Sequence, residues 1–417
     1  MTKRSGAGKA SLVRKGSCKT YGVARYNGLV KQIKMAQLRE APEIPIQGRH
    51  VFRAPGRVNL IGEHTDYNDG FVMPAAIGFS TWVTSAPRDD RKVSVFSENF
   101  SESIEFELDD QNPRAQGHWS DYVKGVAITL ERAGFRLRGA ELRIRGEVPI
   151  GSGLSSSAAL EVASGYALLT NSGLIVNRTK LAKFCQRAEN EFVGMRCGIM
   201  DQFVSCHGQV GMALLLDCRS LESKLLPLPE HARLAICNTM VNHALATSEY
   251  NARRSECEAA MRYFAKSYAN VRALRDITEV ELELHGSDLS SVIYRRCRHV
   301  ITENARVLAA GAALEKGDLA AFGQLMNSSH RSLRDDYEVS CKELDLMVEL
   351  AQQVRGVYGA RMTGGGFGGC TVSLIETEHV DEFKEAVARG YERATGLTPE
   401  IYVCSAAEGV EEIMGDC

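Results

Sequence analysis

Residues 141–148, Glu-Leu-Arg-Ile-Arg-Gly-Glu-Val, largely alternate polar and apolar side chains, and Pro149-Ile-Gly151-Ser-Gly153-Leu-Ser155-Ser156-Ser157-Ala-Ala159 follows directly. The alternation predicts a strand and the glycines a tight loop; the Ala/Leu pattern that runs to about Leu169 predicts a helix capped by serine. The first turn of a helix carries N–H groups without intrahelical partners at the positive end of the dipole. Consecutive serines there add hydroxyls, so the segment reads as a cradle for an anion such as phosphate. The plainer alternative is an ordinary N-cap after a turn. A lone G-x-G before a helix says little, and three serines in register are what favour the cradle.

Two further glycine-rich stretches stand upstream and downstream. Arg53-Ala-Pro-Gly-Arg57-Val-Asn-Leu-Ile-Gly62-Glu63-His64-Thr-Asp66-Tyr67-Asn-Asp-Gly70 lies between a predicted strand around Val51 and an apolar stretch from Phe71 to Ile77. Taken alone, its Glu63-His64-Thr-Asp66 fits a solvated turn or a metal cluster as readily as a binding site. Thr363-Gly364-Gly365-Gly366-Phe367-Gly368-Gly369 precedes a predicted strand, Cys370 to Ile375. Its Gly364-x-Gly366-x-x-Gly369 matches the dinucleotide-binding pattern, but that pattern must open a helix, so a Rossmann reading is rejected. Gly8-Lys9 is rejected as a Walker loop, because Lys3 stands where the first glycine belongs and Ala10 follows the lysine.

The 417 residues are enough for two domains with a cleft between them. With 44% hydrophobic and 24% charged residues the composition excludes disorder, collagen and coiled coil. The net charge of −2 hides an asymmetry: residues 1–47 hold ten Lys and Arg against Glu40 and Glu43, a charge of +8, which leaves −10 for the rest. A basic segment without an apolar stretch fits a solvated extension better than a transit peptide or a nucleic-acid arm. Within it, Val23, Leu29, Val30, Ile33 and Leu38 allow one short amphipathic helix between Tyr21 and Leu38. Neither a nucleic-acid partner nor a membrane is expected, since the overall charge is balanced and no run of 18 apolar residues occurs. A cytoplasmic location follows as an expectation. The twelve cysteines never form C-x-x-C and several interrupt apolar patterns, so they read as reduced core thiols rather than zinc ligands.

With these three clusters in this order, the chain resembles the GHMP small-molecule kinases, and its first cluster is similar to the signature of the galactokinases among them. Arg53–Gly70, Pro149–Ala159 and Cys-Gly-Ile-Met-Asp-Gln-Phe at 197–203 carry the resemblance, which runs from about Val51 onward. It implies a two-domain α/β (α+β) protein: after a basic extension (1–47), an N-terminal domain like domain 2 of ribosomal protein S5 (48–208) and a ferredoxin-like C-terminal domain (209–417), with the active site in the cleft. Carried over residue by residue, the sugar site would use Arg57, Glu63, His64, Asp66, Gly198, Asp201 and Tyr250. The phosphates of ATP would lie against Gly151, Gly153, Ser155, Ser156 and Ser157, and Mg²⁺ on Ser157 and Glu189. Carboxylates suit sugar hydroxyls because each can accept two charge-assisted bonds, and magnesium takes hard oxygen ligands. Without the resemblance, Glu189 in the helical run Thr179–Glu191 reads as a surface residue and Tyr250 as packing. The glycines 364–369 would close against the site.

The implied reaction is transfer of the γ-phosphoryl group of ATP to the anomeric hydroxyl of galactose, giving galactose 1-phosphate and ADP. Asp201 would accept the hydroxyl proton with Arg57 beside it. Asp201 has no basic neighbour in sequence nearer than Arg196, so its partner must come from elsewhere. The same motifs admit N-acetylgalactosamine or another sugar as substrate. They also admit a catalytically silent galactose sensor, although the complete Ser155–Ala159 run and the presence of Asp201 argue against one. Galactose and MgATP are the expected partners, in a monomer or weak oligomer.

Overall fold

The structure, a computed structural model, describes residues 49–242 and 246–413. The expectations for the basic segment 1–47, including the helix between Tyr21 and Leu38, lie outside the described residues. In chain order the first elements are β1 (His50–Asn59), β2 (Phe71–Val72), β3 (Pro74–Arg88), β4 (Lys92–Ser97), β5 (Glu102–Glu107), α1 (Ser120–Arg132), β6 (Gly139–Gly146), α2 (Ser156–Asn171), α3 (Arg178–Ala188) and α4 (Met200–His207). Then come β7 (Met212–Asp217), β8 (Ser223–Pro227), β9 (Ala232–Asn242), α5 (Ala246–Phe264), α6 (Glu279–Leu284), α7 (Ser291–Glu315), α8 (Leu319–Asp335), α9 (Lys342–Gln352), β10 (Val357–Thr363), β11 (Gly368–Glu376), α10 (Val380–Thr395), β12 (Glu400–Cys404) and β13 (Glu411–Ile413).

Five of the early strands and β13 form one sheet in the order β13-β1-β3-β6-β4-β5, antiparallel except for β4 against β6. One face presents Phe52, Val83, Val95 and Leu142, which pack on Val126 and Leu130 of α1, Val162 and Leu168 of α2, Leu181 of α3 and Phe203 of α4. The register of β1 against β3 shifts between Pro55 and Arg57. Proline has no N–H to give to the ladder, and past the irregularity Arg57 stays paired with Ala76 of β3 while its N–H turns to the loop before α2. It is bonded there to the Leu154 carbonyl at 3.0 Å.

A second sheet has the order β12-β9-β11-β10, all antiparallel. With helices between β9 and β10 and between β11 and β12, this is the fourth-first-third-second order of a ferredoxin-like unit. Strand β9 is covered on both faces: Leu234 and Ile236 meet Val307, Leu314, Phe322 and Met326 of α7 and α8, while Ala235 and Cys237 meet Met347, Phe383, Val387 and Tyr391 of α9 and α10. Leu60, Ile61 and Ile77 of the signature region share the first of these cores, which anchors the signature on the second sheet. The small third sheet is β2-β7-β8. All ten described cysteines are free thiols, seven of them buried. No helix among the described residues is long and apolar enough to cross a membrane.

Candidate active site

The three glycine clusters meet at one cavity of about 560 Å³, and every site residue expected above lines it. Loop meets loop without intervening side chains. A Cβ at Gly364 would stand 2.7 Å from the Gly153 carbonyl, at a positive φ of 85° that favours glycine in any case.

At the floor, Arg57 grips Asp201 with both prongs of its fork: Nε donates to Oδ1 at 2.9 Å and Nη2 to Oδ2 at 2.7 Å, while Nη1 donates to the Gly153 carbonyl at 2.6 Å. This is the two-pronged geometry in which an arginine holds a carboxylate most strongly. Arg57 is buried and Asp201 keeps 24% of its side chain exposed, toward the cavity.

The serine cap expected for α2 is not formed. Ser155 stands at the N-cap in a left-handed conformation (φ 62°) and makes no side-chain cap bond. Its hydroxyl donates to Asp201 Oδ2, and its left-handed backbone is not the extended one from which an N-cap oxygen reaches the N–H groups of the first turn. The N–H groups of the first turn are therefore left facing the cavity, a better anion cradle than a capped helix.

The strand expected at 141–148 ends at Gly146, and the helical run expected at 179–191 is an α-helix only to Ala188. Glu189–Val193 widen into a π-turn, a device often found at functional sites, and Glu189 is 95% buried as a result. Its carboxylate accepts from Gln202 Nε2 at 2.6 Å and from the Cys197 thiol at 3.3 Å. Burial, then the charge of Asp201, pushes the Glu189 carboxyl up to about 7. Glu161, one turn after Ser157 on α2, is fully buried and leaves Oε1 without a partner. Glu161, Glu189 and Asp201 thus stand together, with Gln202 bridging the two glutamates and Arg57 holding the aspartate. That donor set of hard oxygens, with an orphaned carboxylate oxygen and with burial raising the carboxyls of both glutamates, fits a divalent cation such as Mg²⁺, whose charge would favour their ionised forms.

The signature residues take two kinds of place. Asp66 accepts from the Tyr67 N–H at 2.9 Å and abuts Gly198, where a Cβ would come within 1.9 Å of Oδ2. Only glycine leaves room for this carboxylate. Burial, then Asp201, raises its carboxyl to about 6. Glu63 is engaged by Arg361 Nη1 (2.9 Å), the Gly364 N–H (2.6 Å), Thr363 and Asn59, and His64 reaches the Gly365 carbonyl through Nε2 at 3.2 Å. Consecutive signature residues therefore hold consecutive peptides of the third cluster. A carbonyl only accepts, so His64 carries its proton on Nε2 and its Nδ1 accepts from Tyr67 Oη at 2.7 Å. Tyr67 accepts in turn from Tyr337 at 2.8 Å, and Tyr337 from the Cys257 thiol at 3.1 Å. Burial, then His299, lowers His64 to about 3, so it is neutral. Tyr250 closes the wall, its ring 5.3 Å from His64 and 5.5 Å from Tyr67.

Sequence reasoning missed Arg361, Tyr337 and Gln202. It also missed the aromatic lining of the cavity, where Phe100 stacks on Trp119 (5.7 Å, 14°) and Tyr122 and Leu160 line the same space. The signal for Arg361 was present as a charge inside the apolar strand Val357–Thr363; Phe100 and Trp119 lie in segments without any local pattern.

Comparison with known proteins agrees with this geometry. The family of GHMP kinases N terminal domains matches residues 121–209, the galactokinase galactose-binding signature 44–87, and the GHMP kinases C terminal family 311–393. A galactokinase of Roseiflexus sp. strain RS-1 is 49% identical over 364 residues, 87% of this chain and 93% of its own length. The chain belongs to the galactokinases of the GHMP kinase family. A Haemophilus influenzae galactokinase is 46% identical over 92% of this chain and 98% of its own. The crystal structure of Lactococcus lactis galactokinase complexed with galactose superimposes with a TM-score of 0.85 at 40% identity, covering 88% of this chain and 96% of that one. A mevalonate kinase, 17% identical with a TM-score of 0.58, shares the fold.

Proposed function

We propose that this chain transfers the γ-phosphoryl group of ATP to the anomeric hydroxyl of galactose, releasing galactose 1-phosphate and ADP. The observation that carries the reading is the Arg57–Asp201 fork at the point where the sugar signature and the open N-terminus of α2 meet. Asp201, with its exposed edge toward the cavity, takes the proton of the attacking hydroxyl. Arg57 holds the carboxylate in place and offsets the charge that develops on the transferring group. Asp66 accepts sugar hydroxyls from its seat against Gly198, and Tyr250 packs the far wall, with Glu63 and His64 setting the loop behind it.

Gly151, Gly153 and Ser155–Ser157 receive the phosphates, and the adenine lies against Phe100, Trp119 and Tyr122. Ser157 and Glu189 would hold Mg²⁺, which supplies charge neutralisation on the phosphates when bound. The division of labour is between residues 48–208, which carry the signature, the phosphate loop and Asp201, and 209–417, which carry Tyr250 and the closing glycines. A reducing, cytoplasmic setting is supported by ten free thiols among the described residues, and a monomer or weak oligomer is part of the same proposal. The test is ADP release with galactose, N-acetylgalactosamine and glucose in turn. Rapid turnover with galactose alone is the expected result; comparable kcat/KM for glucose, or no turnover with any sugar, overturns it.

A further inference from the structure

Residues 194–198 belong to no helix or strand, so their carbonyls must find donors elsewhere. The segment leads into α4 and sets two features of the site: Gly198, which makes room for Asp66, and Asp201, three residues on. Arg254 of α5 reaches across to it. Its Nη1 donates to the Arg196 carbonyl at 2.6 Å and to the Cys197 carbonyl at 3.4 Å. Among the described residues no other donor bonds the Arg196 carbonyl, whereas Cys197 also receives the amides of Asn190 and Gln186 at 3.3 and 3.5 Å. Glu258, one turn further along α5, steadies the guanidinium from the other side at 3.4 Å.

Arg254 follows Tyr250 by four residues, so the two share a face of α5. The guanidinium lies over the ring of Tyr67, 5.8 Å from its centroid, and Tyr250 packs on the same ring. One helix face therefore touches both the sugar signature and the backbone that leads to Asp201. Arg254 does not line the cavity itself.

We infer that Arg254 is a positioning residue for phosphoryl transfer: it fixes the 196–198 backbone so that Gly198 stands against Asp66 and Asp201 against Arg57, and it ties that placement to Tyr250. A planar guanidinium suits the task, since Nη1 alone spans two successive carbonyls while Nε faces Glu258. The inference rests on the reading of Asp201 as proton acceptor.

Steady-state kinetics of the full chain with galactose and MgATP, for wild type, Asp201→Asn, Arg254→Met, Arg254→Lys and Arg254→Ala, tests it. A misplacement of about 1 Å costs about 10²-fold in rate, so Arg254→Met should lose about that much in kcat with KM for ATP and melting temperature near wild type. Arg254→Lys should recover part of the loss. Millimolar guanidinium chloride should restore part of the rate of Arg254→Ala and none of that of Asp201→Asn, a response that mere loss of fold would not give. An active wild type and an impaired Asp201→Asn beside an Arg254→Met of normal kcat overturn the inference alone. So does a loss in Arg254→Met that tracks a fall in melting temperature, is shared in full by Arg254→Lys and is not rescued in Arg254→Ala. A wild type without galactose turnover, or an Asp201→Asn with full turnover, overturns the functional reading and the inference with it.

Discussion

At the scale of single residues, the site depends on two fits that tolerate no substitute. The first is the Arg57–Asp201 fork. Asp201→Asn keeps the shape but removes the charge and the proton acceptor, so kcat should fall by about 10²–10⁴ with ATP affinity and thermal stability near wild type. Arg57→Ala should also lower kcat. Because both serve one transition state, the double variant should be far less impaired than the product of the single losses, and multiplicative losses would show that they act independently. The second fit is Gly198 against Asp66. A methyl group at Gly198 would occupy the position of the Asp66 carboxylate, 1.9 Å away, and neither partner can retreat: Asp66 is tied to the Tyr67 N–H and Gly198 follows the carbonyls held by Arg254. Gly198→Ala should therefore cut kcat/KM for galactose by about 10²-fold or more. Calorimetric titration with an ATP analogue should find the nucleotide site intact; equal losses for both ligands would mean that the whole site had collapsed.

At the scale of elements, what was legible was local punctuation. Glycines and serines mark turns and helix starts through the conformations they permit, so all three clusters, the strand before α2 and α2 itself could be read in place. What could not be read was set by partners far away in sequence. Arg361 meets Glu63 across 298 residues, and Tyr67 meets Tyr337 across 270; no window of neighbouring residues carries that information. The partner of the Ser155 hydroxyl, Asp201, likewise lies 46 residues on. Glu189 was expected in a regular helix, and only the π-turn that follows Ala188 brings it inside. Ser155 gives this scale its test. It sits at φ 62°, where glycine is at ease and alanine is strained by about 1–3 kcal/mol. Ser155→Gly and Ser155→Ala both delete the hydroxyl that steadies Asp201, so both should lower kcat, by roughly tenfold for a lost bond to a charged group. Their stabilities should diverge, with the melting temperature of the glycine variant at or above wild type and that of the alanine variant below it. A glycine variant with wild-type kcat would show that the hydroxyl has no part in placing Asp201.

Across the whole molecule, the chain has buried ionisable groups whose preferences oppose one another, and substrate should shift the balance between them. His64 and His299, lowered by burial to about 3 and about 4 from an ordinary 6.5, stay neutral in the folded state while the unfolded chain takes up protons below pH 6.5. Each therefore withdraws stability as pH falls through that range, at about 1.4 kcal/mol per pH unit. Asp66, raised to about 6 from 3.8, works in the opposite direction: in the absence of sugar its contribution is lost as pH rises from about 4 to 6, because the folded state is slower to give up the proton. Galactose, which on our reading needs the ionised Asp66 as acceptor, must compete with that proton below pH 6, so its apparent dissociation constant should rise toward tenfold per pH unit there and be level above it. Stabilisation by a ligand at saturating excess is about RT ln([L]/Kd), so the added stability from galactose should shrink by about 1.4 kcal/mol for each unit below pH 6. The histidines titrate with and without sugar alike, and they cancel when the difference between the two melting temperatures is taken at each pH. That difference should be flat from pH 7.5 to about 6.5, fall steadily between 6 and 4.5, and lose this dependence in Asp66→Asn. An increment equally large at pH 5 and pH 7.5 would mean that the sugar does not bind against an ionised Asp66, and would move the recognition of its hydroxyls to other residues of the cavity.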